Sequence, residues 1–198
     1  AYYTVHRSIT LTDENTAAVQ LRESIVNAVL AFPGNSANCL ISGGLDSSIV
    51  SYIAKQRFAS LNLFSLGSRS HNEFDKAEIF ARSIGLPFER VLIDEDEFLV
   101  ALPQLVYLVE HCYSTFVEYL VPVHIAHSHI GNTADILLSG YGSDVLFAGF
   151  AHAGNTLRDV ARLVRTEYQS TIWSNEASQV LGGVIGAEVG YPFFDSQV

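Results

Sequence analysis

Positive charge is scarce in this sequence. Only two of the 198 residues are lysine, Lys55 and Lys76, and the formal net charge at pH 7 is −10. Nucleic acids and anionic membranes attract basic protein surfaces, so this charge balance argues against both as partners. It also implies that any anion site must rely on backbone dipoles, a metal ion and a few selected cations.

Cysteine is equally rare, with only Cys39 and Cys112, which lie far apart. This excludes a disulfide framework and the paired spacing of a zinc site. No hydrophobic run reaches the roughly 20 residues that a membrane-spanning helix needs, and no signal-peptide pattern opens the sequence. We therefore expect a cytoplasmic protein, and we treat residues 1–198 as a single domain with one sizeable core.

Short apolar runs alternate with stretches of helical periodicity along the chain. Predicted strands lie at residues 39–41, 61–66, 88–93 and 135–139. Residues 1–12 alternate loosely, as in an extended lead-in, and residues 155–181 are mostly helical in pattern. Asp94–Glu97 is predicted to be the acidic start of a helix. This order predicts an α/β fold with a parallel sheet, helices on both faces and a mostly helical C-terminal part.

The segment Ser42-Gly43-Gly44-Leu45-Asp46-Ser47-Ser48 lies between the first predicted strand and a predicted helix. Backbone N–H groups at such a helix start point at one spot, where the helix dipole favours an anion. Glycine lets an anion approach the backbone closely, and the serine hydroxyls are further donors. Asp46 would repel a phosphate unless a cation such as Mg²⁺ lies between them. A serine- and glycine-rich turn that only caps the helix is the simpler alternative.

This seven-residue motif resembles the pyrophosphate loop of the ATP pyrophosphatase family, which includes asparagine, β-lactam, GMP and NAD synthetases. It is not a Walker loop, because no GxxxxGK[ST] pattern occurs in the sequence. The resemblance implies an adenine nucleotide alpha hydrolase-like fold of the five-stranded type, and ATP as a ligand.

A second segment, Ser139-Gly140-Tyr141-Gly142-Ser143-Asp144, repeats this pattern of strand, glycines and a carboxylate at a helix start. The carboxyl ends of parallel strands meet at one edge of a sheet, where ligands bind. We therefore expect the two segments and Gly67-Ser68, at the end of the second predicted strand, to meet at one cleft. Asp46 and Asp144 could therefore hold Mg²⁺ together, since magnesium favours one or two carboxylates plus phosphate oxygens. An ordinary turn with Asp144 as a helix cap is the alternative.

The second segment narrows the resemblance to the asparagine synthetase branch. That branch has Ser-Gly-Glu-Gly-x-Asp-Glu followed by Phe-x-Gly-Tyr, where this chain has residues 139–145 and then Phe147–Phe150. The ending Ala187–Asp195 and the stretch Phe74–Ala77 are also similar. The resemblance covers most of residues 15–198. It implies that Leu40 and Leu66 line an adenine pocket, and that Ser139 and Gly140 lie against the nucleotide.

Tyr141 stands where asparagine synthetases have Glu. A Tyr here is similar to β-lactam and carbapenam synthetases, in which it works in a dyad with a Glu, and Glu188 matches that Glu by motif. A Tyr–carboxylate hydrogen bond could take a proton from an attacking amine. A cleft aromatic with a satisfied hydroxyl is the alternative for Tyr141. Val145 and Gly190 replace a Glu and an Arg of the family.

In the resembled family a catalytic Lys follows the Pro-Phe-x-Asp motif and a glutaminase domain precedes the synthetase domain. Neither lysine of this sequence follows that motif. We therefore expect a synthetase domain without the N-terminal glutaminase domain and without its C-terminal end, and a partner chain could complete the site. Two other groups are not predicted to supply what is missing: Arg158, Arg162 and Arg165 suit a solvated helix face, and His124, His127 and His129 do not share one face as metal ligands would.

The sequence thus predicts an ATP- and Mg²⁺-dependent ligase that adenylates a carboxylate, releases pyrophosphate and passes the acyl group to an amine. The carboxylate could belong to a small molecule or to a peptide. The alternative is a non-catalytic or incomplete nucleotide-binding subunit that needs a partner chain. A sulfur-transfer or NAD-type pyrophosphatase is a third alternative, which the second segment and the terminal motif disfavour.

Overall fold

The structure, a computed structural model, describes residues 13–149, 151, 156–195 and 198. The predicted lead-in at residues 1–12 lies outside this part of the chain. The strands are β1 (Ser36–Leu40), β2 (Ser60–Gly67), β3 (Phe88–Leu92), β4 (Ile136–Ser139) and β5 (Glu188–Gly190). The helices are α1 (Glu14–Ala31), α2 (Leu45–Arg57), α3 (Phe74–Ile84), α4 (Glu95–Val109), α5 (Ser114–Ile130), α6 (Ser143–Phe147) and α7 (Leu157–Ile185), followed by a 3₁₀ turn, Pro192–Phe194.

Local capping interactions set the ends of several helices. The Asp94 carboxylate accepts from the Glu97 N–H at 2.8 Å, so the acidic run is a helix start, as predicted. Thr156 and Asp159 form a reciprocal capping box at the start of α7. Gly85 ends α3 in the left-handed region at φ 67°.

The five strands form one parallel sheet in the order β3-β2-β1-β4-β5. This confirms the predicted parallel sheet, and all four strands located from the sequence are present. The fifth strand spans only three residues, too few for a hydrophobic pattern to reveal. In β1, Leu40 lies opposite Phe64 of β2 and Ser139 of β4. The carboxyl ends of these three strands therefore share one edge.

Two hydrophobic clusters cover the two faces of the sheet. Cys39 and Leu63 point to the face covered by α1, α2 and α3. Phe64 and Leu137 point to the opposite face, which α4, α5 and α7 cover. Alternate residues of each strand thus enter different clusters, as expected for a sheet buried on both sides.

The amino ends of β1 and β4 are tied together by one carboxylate. Asp135 accepts hydrogen bonds from the N–H groups of Asn35 and Ser36 at 2.8 and 2.9 Å, and from the Ser36 hydroxyl at 2.8 Å. These three donors lower the pKa of Asp135, with the Asn35 N–H contributing most. The carboxylate fixes the register of the two strands that carry the site.

No helix in the described ranges is both long and apolar enough to cross a lipid bilayer.

His127 is a fully buried polar residue of α5. Burial, with a smaller contribution from His124, lowers the pKa of His127 from 6.5 to about 4. The unfolded chain therefore binds more protons than the folded chain between these two pH values. The contribution of neutral His127 to stability is complete above pH 6.5 and is lost as the pH falls towards 4. The loss is on the order of 3 kcal/mol.

We expect His127→Leu to remove much of this acid destabilisation, because leucine fills the site without a proton to bind. The free energy of unfolding, measured by urea titration from pH 7.5 to pH 4.5, should fall less steeply than in the wild type. His129→Leu is the control, since His129 lies on the same helix but is partly exposed and pairs with Glu97. If the free energy of unfolding of His127→Leu fell with pH as steeply as that of the wild type, the lowered pKa of His127 would be contradicted.

Candidate functional site

The first loop connects the end of β1 to the start of α2 and packs against α3. Gly43 has a φ of +75°, and a Cβ atom there would lie 2.7 Å from the Ala77 nitrogen. Both observations require glycine at this position. The close packing holds the loop at the start of α3, with Lys76 beside Gly43.

Serine hydroxyls stabilise the first loop from within. Ser42 donates its N–H to the Ser47 hydroxyl at 3.2 Å, and the Gly44 N–H donates to the Ser42 hydroxyl at 3.2 Å. Ser48 donates its hydroxyl to the Gly44 carbonyl at 2.6 Å. The N-cap of α2, Gly44, makes no side-chain cap, so no N-cap side chain occupies the positive end of the helix. This arrangement suits an anion.

The second loop, from β4 to α6, lies directly on the start of α2. A Cβ atom on Gly140 would be 2.5 Å from the Ser47 nitrogen and 2.8 Å from the Asp46 carbonyl carbon. No larger residue fits there without moving a backbone. The contact brings the two predicted loops together and places Asp46 and Asp144 on the wall of one cavity.

This cavity, which we call the first cavity, has a volume of about 950 Å³ and opens at the carboxyl ends of β1, β2 and β4. Most of the residues predicted for the site line it. They are Leu40, Ser42, Gly44, Asp46, Ser47, Leu66, Ser139, Gly140, Tyr141 and Asp144. Gly43, Ser48 and Glu188 are not among the lining residues.

Glu188 is the first residue of β5 and lies opposite Ile136, the first residue of β4. Tyr141, by contrast, follows the last residue of β4, Ser139. A strand rises about 3.3 Å per residue, so Glu188 lies roughly 10 Å from the Ser139 level along the strand direction. Its side chain is exposed. The structure therefore does not bring Glu188 into the first cavity, and the Tyr141–Glu188 dyad stays a prediction.

Several lining residues were not predicted from the sequence. The loop after β2 was expected at the site through Gly67 and Ser68, but it lines the first cavity through Ser70–Glu73. Hydrogen bonds turn the loop back on itself, because Ser68 and His71 bond each other through backbone and side-chain atoms at 2.9 and 3.0 Å. The serine- and asparagine-rich composition was the available signal.

Helix α5 adds Glu118, Tyr119, Pro122 and Val123 to the wall of the first cavity. These residues recur at helical spacing on one face. The sequence alone does not say which face of α5 meets the sheet edge, so this contribution follows only from the tertiary packing.

The first cavity is acidic. Asp46, Glu73, Glu118 and Asp144 line it, and no Lys or Arg does so among the residues that the structure describes. Lys76 stands at the rim, where its ammonium pairs with Glu73 at 2.7 Å. An anionic ligand would therefore need a metal ion between it and the carboxylates. Two carboxylates beside a phosphate-type cradle are a donor set that suits Mg²⁺.

Three rings surround Tyr141. Its ring centroid lies 5.6 Å from Tyr119, 5.8 Å from Tyr191 and 5.8 Å from Phe194. The terminal motif, which contains Tyr191 and Phe194, thus packs against the second loop.

Tyr119 has a buried hydroxyl. This burial, together with the neighbouring Tyr141 and Tyr191, raises the pKa of Tyr119. Tyr119 therefore remains a hydrogen-bond donor at neutral pH.

The three histidines of α5 and the three arginines of α7 that the sequence analysis considered do not line the first cavity. His124 and His127 are buried in α5, whereas the Nε2 atom of His129 lies 2.6 Å from the Oε1 atom of Glu97, within hydrogen-bond distance. In the described ranges no group of three or more potential ligands is placed to hold a metal ion. Arg158, Arg162 and Arg165 are all exposed on α7.

Both loops lie within the part of the chain that matches a known family. The family model described as asparagine synthase matches residues 20–189, and the chain belongs to that family.

Two curated relatives indicate the range of the family. The chain is 27% identical over 187 residues to carboxyethyl-arginine beta-lactam-synthase of Streptomyces clavuligerus, covering 93% of this chain and 36% of that protein. It is 26% identical over 143 residues to asparagine synthetase [glutamine-hydrolyzing] 1 of Bacillus subtilis, covering 70% of this chain and 22% of that protein. The chain thus spans about a third or less of the length of these relatives.

Among solved structures, the glutamine-dependent NAD⁺ synthetase of Acinetobacter baumannii matches with a TM-score of 0.49 and 15% identity. The match covers 85% of this chain and 35% of that chain.

Gly140→Ala tests the contact between the two loops. The added methyl cannot fit 2.5 Å from the Ser47 nitrogen, so the loops should separate and the anion cradle should lose its shape. We expect binding of inorganic pyrophosphate with Mg²⁺, measured by calorimetry, to weaken by more than about tenfold, or 1.4 kcal/mol.

The matched control is Gly183→Ala in α7, where a Cβ atom meets nothing within 4 Å. Both variants exchange the same residue types, and Gly183→Ala should leave pyrophosphate binding unchanged. Equal binding by Gly140→Ala and the wild type would show that the loop contact does not shape the site.

Proposed function

We propose that this chain is an ATP-dependent amide-forming ligase domain. The observation that carries the proposal is the contact of Gly140 with Ser47, which places two acidic loops and the start of α2 around one cavity. A carboxylate is a poor acyl donor until it is activated. In the proposed reaction its oxygen bonds to the α-phosphorus of ATP and pyrophosphate leaves. An amine then attacks the acyl carbon, AMP leaves, and the amide forms with release of a proton.

The lining residues divide the first cavity between base and phosphates. Leu40 and Leu66 are half-buried apolar side chains on one wall and suit the adenine ring. Ser42, Gly44 and Ser47 lie at the start of α2, where backbone N–H groups and the dipole favour pyrophosphate. Gly43 and Ser48 support this cradle by fixing the loop rather than by lining it.

Asp46 and Asp144 would hold Mg²⁺ between the phosphates and the acidic wall. The metal ion would neutralise charge that builds up on the departing pyrophosphate. The two carboxylates themselves would repel an anion that enters the first cavity without a metal ion. Lys76 at the rim adds a cation that phosphate oxygens could attract away from Glu73.

Tyr141 is the residue best placed to assist the amine, because it belongs to the second loop and lines the first cavity. Its hydroxyl can orient the attacking nitrogen, and it could take a proton from that nitrogen only by passing its own phenolic proton to a base such as Glu188. Glu188 is proposed as its partner on the motif alone, and the dyad would require Glu188 to approach from β5.

The names of the relatives suggest which carboxylates to try. One relative is named for carboxyethyl-arginine and the other for asparagine synthesis. Because the chain covers a third or less of those proteins, the carboxylate, the amine and any glutaminase that supplies ammonia are open in this proposal. The cytoplasm is the compartment in which ATP would be available to it.

A second candidate function is a nucleotide-binding part that another polypeptide completes. It is favoured by the lack of Lys and Arg among the described lining residues, since adenylation builds up negative charge that a cation would stabilise. This candidate predicts ATP binding without pyrophosphate release, and release that appears when a partner chain is added.

Asp46→Asn tests the main proposal. Removing the carboxylate should abolish the metal-dependent part of ATP binding and lower pyrophosphate release by at least about a hundredfold, because the charge on the leaving group is no longer stabilised. Pyrophosphate release is measured with ATP and Mg²⁺ over a set of carboxylates that includes N-acetyl-L-phenylalanine, N²-(2-carboxyethyl)-L-arginine and L-aspartate. Asp144→Asn should behave in the same way.

Asp96→Asn is the matched control, since Asp96 is exposed in the first turn of α4 and does not line the first cavity. Its activity should equal that of the wild type. Unaltered ATP binding and pyrophosphate release in Asp46→Asn would overturn the site assignment.

Tyr141→Phe separates the two half-reactions. The variant keeps the ring contacts of the aromatic cluster, so pyrophosphate release should stay within about threefold of the wild type. Amide formation should fall about 100-fold, the usual size of a lost general base. If Tyr141 and Glu188 act as a dyad, Glu188→Gln should cause a similar loss and the double variant should add little to it. Equal loss of both half-reactions in Tyr141→Phe would contradict a role confined to the amine.

A further inference from the structure

A second cavity of about 1050 Å³ adjoins the first. It lies between the start of α5, the loop before it and α7, and Tyr119 and Tyr141 line both cavities. These two side chains are therefore the shared wall. Their ring centroids are 5.6 Å apart with planes at 31°, and the Tyr119 hydroxyl hydrogen-bonds Tyr141.

The lining of the second cavity is mainly aromatic and aliphatic. Five of its described side chains carry rings, namely His111, Tyr113, Phe116, Tyr119 and Tyr141. Leu108, Val109, Ala177 and Val180 add aliphatic surface. Such walls favour an apolar or aromatic body, since burial of apolar surface is the main source of affinity in concave sites.

The size of the second cavity also bears on the ligand. Cavities of roughly 300–1,000 Å³ enclose ligands of drug size, which are several times larger than a single aspartate. Glu110 and Glu167 are the charged lining residues that the structure describes. A small dicarboxylate would be repelled by these two carboxylates. It also has too little apolar surface to gain from the aromatic and aliphatic walls.

We propose that Tyr119 is a specificity-determining residue, because with Tyr141 it separates the nucleotide cavity from a second cavity that binds the apolar or aromatic body of the carboxylate substrate. The proposal rests on the proposed function, in which the first cavity binds ATP. The carboxylate of the substrate would pass the Tyr119–Tyr141 wall to reach the α-phosphorus, while the rest of the molecule stays in the second cavity.

Tyr119 is suited to this role by its two contacts. It lines the second cavity together with Phe116 and Tyr113, and 44% of its surface is exposed. Its hydroxyl forms a hydrogen bond with Tyr141 across the wall between the two cavities. A phenylalanine at position 119 would keep the wall and lose only this hydrogen bond, whereas a leucine would lose both.

Cys112 provides a reporter for the second cavity. It is exposed and stands between His111 and Tyr113, whereas Cys39 is buried and its thiol has a pKa raised to about 12. An environment-sensitive thiol dye should therefore label Cys112 selectively. Ligand in the second cavity is then read as a fluorescence change, and calorimetry on unlabelled protein checks that the dye does not alter binding.

The experiment first saturates the protein with Mg²⁺ and α,β-methylene-ATP, and then adds N-acetyl-L-phenylalanine or L-aspartate. We expect a saturable change with N-acetyl-L-phenylalanine and none with L-aspartate. Tyr119→Leu should raise the apparent Kd for N-acetyl-L-phenylalanine about tenfold, and Tyr119→Phe by less than about threefold. Tyr107→Leu, at an 84% exposed position on α4 that lines neither cavity, should leave it unchanged.

The proposal is overturned if L-aspartate binds and N-acetyl-L-phenylalanine does not, or if Tyr119→Leu behaves like Tyr107→Leu. Binding of the nucleotide analogue in each variant keeps this test apart from the proposed function. A wild-type protein that binds no nucleotide contradicts the proposed function. One that binds the nucleotide but not the aromatic carboxylate contradicts only the role of Tyr119 and the second cavity.

Discussion

The close approach of Gly140 to the start of α2 is the contact on which the site depends. The two loops come from strands that pair in the sheet, since Leu40 of β1 lies opposite Ser139 of β4. Pairing alone would leave the loops adjacent, but a backbone with no side chain at Gly140 lets them touch. Without that contact the carboxylates of Asp46 and Asp144 would belong to separate turns, and each turn would be only a helix start.

The acidic lining of the first cavity determines which ligands the two loops can bind. A pyrophosphate beside Asp46, Glu73, Glu118 and Asp144 is repelled unless positive charge intervenes. The helix dipole supplies about half an elementary charge at the start of the helix, which is far too little to balance the charge of a nucleoside triphosphate. In the proposed function, metal binding and nucleotide binding are therefore coupled, and the low lysine content of the chain makes this coupling stricter than in a basic site.

Local chemistry made much of the site predictable. The strand–turn–helix pattern located the first loop, and the acidic second loop could be paired with it because parallel strands share a carboxyl edge. Two features were beyond sequence reasoning for physical reasons. The side chains of α5 enter the cavity because of how that helix packs on the sheet, which its periodicity does not specify. Glu188 matches a motif, yet the register of β5 with β4 places it at the opposite end of the strand from Tyr141.

The terminal motif also packs closely against the second loop, through the aromatic cluster around Tyr141. Gly142 has a φ of +106°, and a Cβ atom there would lie 2.5 Å from the Phe194 ring, so the second loop and the terminal motif fit each other as closely as the two loops do. Tyr141 lies between this motif and Tyr119 of α5. The position of the Tyr141 hydroxyl is therefore set by three separate parts of the chain. A shift in any of them would move the wall between the two cavities. In the proposed function this would link the placement of the substrate to the geometry of the two loops.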